Sequence, residues 1–130
     1  VRGETIYYVG PCPAPPGWIL GAAGPTTSGR MDRYTPTLLA HGLRGMIGKG
    51  PRSPEVIAAI VAHQAVYFAA LGGAGALIAR TVRRVEDVAY QDLGTESVRR
   101  LWLADLPVVV AIDTRGLDLY QEGPKAYART

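Results

Sequence analysis

Apolar and polar positions alternate along this chain in short blocks, and each block predicts one element. Thr5, Ile6, Tyr7, Tyr8 and Val9 are β-branched or aromatic and predict a strand over 5–9. Residues 10–17 then hold four prolines between two glycines, which rules out helix and central strand and predicts a stiff, pre-shaped loop. A short returning strand is expected at 18–22. From 28 to 41 the spacing turns helical, with Met31, Tyr34, Leu38 and Leu39 near one face and Thr27 or Ser28 available as N-cap. Pro36 is awkward inside that helix and divides it into two pieces, and Gly42 closes it. Residues 43–47 predict a strand that ends at Gly48-Lys49-Gly50.

Ser53-Pro54-Glu55 reads as a strong helix start: a capping hydroxyl, a proline in the first turn and an acid near the positive end of the dipole. That helix runs to about His63. A buried strand at 65–70 follows, then Gly72-Gly73-Ala74-Gly75 and a small-residue helix to about Thr81. Residues 85–90 predict a strand. Thr95-Glu96-Ser97 predicts a cap for a helix to about Leu103, with Arg99 and Arg100 on its solvated side. A strand at 107–112, a turn at Asp113-Thr114-Arg115-Gly116 and a short returning strand at 117–120 complete the pattern, with a frayed tail from Gln121. Strands alternating with helices predict one α/β domain over 1–130 with a mixed sheet.

Composition narrows the function classes. At 130 residues, 48% hydrophobic and 19% charged, the chain can bury a core, and no apolar run approaches the roughly 18 residues that span a bilayer. The net charge of +3 is too mild to point to nucleic acid, but it suits an anionic ligand. One cysteine, Cys12, excludes an internal disulfide and an all-cysteine metal cage, and a reducing, cytoplasmic setting is expected. Val1-Arg2-Gly3-Glu4 has no signal-peptide pattern and no initiator Met, so the chain reads as processed or as a piece of something longer.

The chemistry concentrates in Gly24-Pro25-Thr26-Thr27-Ser28-Gly29-Arg30-Met31-Asp32. Gly-Pro forces a turn, and hydroxyls then sit where a helix begins. Such a terminus presents free N–H groups and partial positive charge to a carboxylate or phosphate. Arg30 adds a forked donor, and Lys49 supplies a second cation from its Gly-Lys-Gly loop. The residues alone leave two readings open: an anion pocket, or a well-capped surface helix carrying a solvated arginine. Thr27 and Ser28 are expected to cap, and Asp32 to orient Arg30 or offset helix-end charge.

Several other motifs read more plainly as structure. Gly73-Ala74-Gly75 with Asp92 downstream echoes a dinucleotide fingerprint, but Ile78 stands at its third glycine, so close helix–strand packing is the simpler account. Gly48-Lys49-Gly50 is no P-loop, since Leu43 and Gly50 stand where glycine and a magnesium-binding hydroxyl belong. His41 and His63 are placed as cations at helix C-termini. The arginines at 80–84 and 99–100 read as solvated faces or a subunit contact, and Cys12 as an inert loop residue.

The blocks in their order resemble the C-terminal region of class I fumarases, and more loosely the β subunit of tartrate dehydratases. The resemblance rests on residues 10–17 and 24–32, then Gly45-Met46-Ile47-Gly48-Lys49-Gly50 and Arg52-Ser53-Pro54-Glu55. Val66-Tyr67-Phe68-Ala69-Ala70, Gly72-Gly73-Ala74, Tyr90-Gln91-Asp92-Leu93-Gly94 and Asp118-Leu119-Tyr120 continue it over nearly the whole chain. It implies a swivelling β/β/α-type domain of a hydro-lyase that adds water reversibly to fumarate, giving L-malate. It also implies a 4Fe-4S cluster held by a partner α subunit or domain and not by this chain, in a hetero- or homo-oligomer with no nucleic acid and no membrane. Thr26 matches the residue that moves the proton on carbon, and Arg30 and Lys49 match residues that hold the substrate's carboxylates. A further substrate-binding arginine of the family lies about fifty residues upstream of the proline loop. This chain starts too late to contain it: either these are the last residues of a longer subunit, or that segment is on another chain. Activity is therefore expected only with the cluster-bearing partner. The alternatives are a non-catalytic carboxylate- or partner-binding module and a tartrate dehydratase-type β subunit.

Overall fold

In chain order, the elements are β1 (Thr5–Tyr7), a 3-10 turn (Ser28–Met31), α1 (Thr35–Ala40), β2 (Gly45–Gly48), α2 (Pro54–His63), β3 (Val66–Ala69) and α3 (Gly75–Ala79). There follow β4 (Val82–Ala89), a second 3-10 segment (Gln91–Glu96), β5 (Val98–Leu103), β6 (Val109–Ile112) and α4 (Leu119–Tyr127). The structure, a computed structural model, describes residues 1–127. Helices and strands alternate around a mixed sheet, as the pattern predicts.

The chain forms two compact units. The first is built from Val1–Tyr8, Thr27–Ala70 and the chain from Val108 onward. Its four-stranded sheet has the order β1-β2-β3-β6, with β1, β2 and β3 parallel and β6 antiparallel. Ile6, Met46, Tyr67 and Ile112 lie in register across the four strands and feed one core. Leu39 and Leu43 at the end of α1, and Val56 and Ile60 from α2, fill the rest of it.

α2 follows its local code. The Ser53 hydroxyl accepts from the Val56 amide at 3.3 Å, Pro54 opens the helix where a missing N–H costs nothing, and Gln64 closes it in the left-handed region. Pro36 likewise sits in the first turn of α1 rather than inside a longer helix. The predicted division of residues 28–41 therefore falls before the proline.

The second unit comprises Val9–Thr26 and Leu71–Pro107, with the antiparallel pair β4–β5 and the short helix α3. Residues 98–103 form strand β5, not the predicted helix. Cross-strand pairing overrode the local cap signal: Asp87 lies opposite Arg99, Glu86 opposite Arg100, and the Arg84 guanidinium stacks 4.2 Å over the Trp102 ring. Residues 18–22 form no strand; Ala22 only accepts from the Cys12 amide at 2.9 Å.

In the first unit, the returning strand expected at 117–120 shrinks to one bridge between Ile112 and Asp118. The Asp118 carboxylate accepts from the Tyr120 amide at 2.9 Å and so starts α4, which takes in residues 121–127 of the tail expected to fray; the rest of that tail, 128–130, lies outside the described residues.

Candidate active site

Within the proline-threonine motif, Thr26 ends a segment of the second unit and Thr27 begins a segment of the first. Inside the second unit, Val9 bridges Pro25, and the Ala23 amide donates to the Gly75 carbonyl at 3.0 Å. A Cβ on Gly75 would stand 3.0 Å from the Gly24 nitrogen. Gly75 thus serves close backbone packing, against residues 22–24 and not against a strand, while Gly73 turns at φ +79° in open space. Thr26 is exposed. An open groove of about 390 Å³ in this unit is lined by Trp18, Ile19, Arg80 and Arg83 among others, with Arg80 stacked 5.7 Å over Trp18, and none of the predicted site residues lines it.

In the first unit the motif meets the lysine loop. Thr27 pairs with Lys49 in a parallel bridge, and the Ser28 amide donates to the Lys49 carbonyl at 2.9 Å. This junction lies just past the C-terminal end of β2, on the edge where α/β sheets present ligand-binding loops. Arg30 and Lys49 are both exposed there.

The helix start predicted at this point is a 3-10 turn of four residues. So short an element sums almost no macrodipole, and the attraction for an anion rests on the two cations. Neither expected cap forms. Thr27 occupies the cap position without a side-chain bond, and Ser28 points inward and is fully buried. Packing claims that hydroxyl instead: it lies 2.8 Å from the Tyr67 phenol, and a Cβ on Gly48 would stand only 1.9 Å from it. Glycine at 48 is what lets the serine reach the sheet.

Asp32 does not orient Arg30. Its carboxylate binds Arg52 Nε at 2.6 Å and accepts from the Ser53 amide at 2.6 Å. Arg52 is buried, with Nη2 donating to Thr35 Oγ1 at 2.9 Å and Nη1 placed 3.4 Å from Met46 Sδ. Its guanidinium lies 4.8 Å from the Tyr67 ring centre and 5.4 Å from that of Tyr8. A planar ion with five donors can serve all these partners at once, and an ammonium cannot. Arg52, Tyr67 and Tyr120 escape sequence reasoning as members of the site. All three lie within blocks of resemblance, and no local spacing links them to residues 28–32.

Burial pushes the Tyr67 phenol up to about 12, against the opposing pull of the Ser28 hydrogen bond, and burial also lifts Tyr7 to about 12. Both groups hold their protons more tightly folded than unfolded. The stability this contributes is intact below pH about 10 and is lost as pH rises through about 12. In an alkaline titration followed by tyrosinate absorbance, Tyr7 and Tyr67 should ionise only near pH 12, together with unfolding. Ionisation of all seven by about pH 11 with the fold intact would contradict this.

Iron–sulfur clusters need several thiolates. This chain has one cysteine, the exposed Cys12, and among the described residues no three His, Cys, Asp or Glu side chains gather as metal ligands. No helix among the described residues is long and apolar enough to cross a membrane.

Fold and site together define a small α/β domain that presents two cations beside the ends of parallel strands. Residues 1–123 match the family model described as fumarase C-terminus, and the chain belongs to that family. It is 37% identical over 124 residues to the anaerobic class I fumarate hydratase of Escherichia coli, covering 94% of this chain and 23% of that protein. Against the aerobic class I enzyme of Salmonella typhimurium it is 36% identical, covering 94% and 21%. A putative L(+)-tartrate dehydratase subunit beta of Methanocaldococcus jannaschii is 34% identical over 125 residues, 92% of this chain and 64% of that subunit. The chain thus spans less than a quarter of the length of these two fumarate hydratases.

Proposed function

We propose that this chain is the substrate-clamping part of an iron–sulfur hydro-lyase that reversibly hydrates fumarate to L-malate in a reducing, cytoplasmic setting. The observation that carries the reading is the Thr27–Lys49 bridge, which seats the segment leading into Arg30 beside the loop of Lys49. Fumarate carries two carboxylates. A forked guanidinium and a point-charge ammonium on adjacent segments are suited to bind them.

Thr26, directly before the bridge in sequence, is the residue to which the family resemblance assigns the proton on carbon. A threonine hydroxyl is a weak base at its ordinary pKa and acts only in a dry, strongly positive setting. None of Thr27, Ser28 and Asp32 is read as a ligand: Thr27 supports the site through its backbone bridge, Ser28 through its amide and its buried hydroxyl, and Asp32 through its carboxylate on Arg52 and the Ser53 amide. The 4Fe-4S cluster belongs to the partner α subunit or domain, where it supplies a Lewis-acid iron.

Similarity to the tartrate dehydratase β subunit supports a second substrate as the alternative. Anaerobic co-expression with a cluster-bearing partner, followed by assays on fumarate and on tartrate, separates the readings. Fumarate hydration well above tartrate dehydration is expected, and the isolated chain should show no iron–sulfur absorbance after reconstitution. Turnover of tartrate alone would move the chain to the other branch. Inactivity with a fully loaded cluster would leave a carboxylate-binding module, and a stable cluster on this chain alone would overturn the division of labour.

A further inference from the structure

We propose that Tyr67 is a positioning residue whose phenol ties the segment that leads to Arg30 to the loop that carries Lys49, holding the two cations at a set separation. The inference rests on the reading that those cations bind the substrate's carboxylates.

Tyr67 lies on β3, fully buried, with its ring in the core beneath Arg52. Its oxygen emerges at the end of the sheet between two other segments, 2.8 Å from Ser28 Oγ and donating to the Gly50 carbonyl at 2.9 Å. The backbone around Lys49 is held from every side. The Lys49 carbonyl accepts from the Ser28 amide, and the N–H of that same peptide unit, on Gly50, donates to Tyr120 Oη at 2.9 Å. Together with the Tyr67 bond, this engages each polar backbone group from the Lys49 carbonyl to the Gly50 carbonyl. Gly50 turns there at φ +89°, so the loop leaves the strand sharply and would swing without these ties.

A core position has no use for a hydroxyl: phenylalanine would fill the space without the cost of burying oxygen. The oxygen is satisfied by the two segments that bear the candidate cations. Its removal frees the loop while leaving the ring in place.

The test is Tyr67→Phe in the assembled, cluster-loaded enzyme, with Lys49→Ala measured beside it. KM for fumarate should rise about tenfold, the scale of one or two lost buried hydrogen bonds, with kcat within about threefold and cluster absorbance unchanged. Ser28→Ala should raise KM similarly, and the double variant should be no worse than the more affected single, because both act through one contact. A purely structural hydroxyl would lower the melting temperature and leave KM alone. KM within about twofold of the unmodified enzyme, while Lys49→Ala abolishes hydration, overturns the positioning role by itself. Full activity of Lys49→Ala overturns the substrate-binding reading and this inference with it. Should Tyr67→Phe fail to assemble, the half-buried Tyr120→Phe carries the test: KM about threefold higher is expected, and an unchanged KM refutes the clamp.

Discussion

Alanine at Lys49 or at Thr26 should each remove most fumarate hydration from the assembled enzyme, and the two losses should differ in kind. On the proposed reading, Lys49→Ala deletes a charge that meets a carboxylate in both ground and transition states, so KM should rise and kcat/KM fall by about a hundredfold or more. On the same reading, Thr26→Ala deletes a proton-transfer group, so kcat should fall by about a hundred- to ten-thousandfold while KM moves little. Thr26→Ser keeps the hydroxyl and should recover part of the rate. Steady-state kinetics on protein with matched cluster content decides the matter. Near-normal activity in either alanine variant would sink that residue's assignment.

The largest effect on stability should come from Arg52. Its side chain is fully buried against a carboxylate that is 16% exposed, with a hydroxyl, a thioether and two aromatic faces completing its surroundings. Removing one partner of a buried pair strands the other, at about 3–5 kcal/mol. Arg52→Ala and Asp32→Ala should each cost about that much in urea unfolding, and Arg52→Lys should recover little, because one ammonium cannot span the same partners. A loss below about 1 kcal/mol in Arg52→Ala would show that the ion pair contributes no more than a surface contact.

What the sequence revealed and what it concealed divide along chain distance. The start of α2 was legible because its whole code sits in Ser53, Pro54 and Glu55. The strands of the parallel sheet were legible because their apolar runs are short and bounded by glycine or polar turns. Residues 95–103 misled because a good local cap precedes a segment whose partner strand lies elsewhere, and a strand's pairing energy does not show in its own composition. The ligand candidates Arg30 and Lys49 stood out through resemblance and charge. The groups that hold them did not: Asp32 is 20 residues from Arg52, Ser28 is 39 from Tyr67, and Gly50 is 70 from Tyr120. No periodicity links residues that far apart, so Ser28 looked like a cap and Asp32 like a partner for the nearest arginine.

The bond between Gly50 and Tyr120 also has a temporal meaning. A ribosome delivers β2, α2 and β3 as one continuous stretch, and their parallel pairing needs nothing made later. The Ser28 and Tyr67 ties can therefore form early. The remaining tie waits until the chain has traversed the whole of 71–107 and returned through β6 to α4, a loop closure of high sequence separation. The lysine loop thus acquires this restraint only after Tyr120 has been made. A chain that stops short of Tyr120 would carry every candidate ligand and the Ser28 and Tyr67 ties, and still lack the bond that fixes the Gly50 amide.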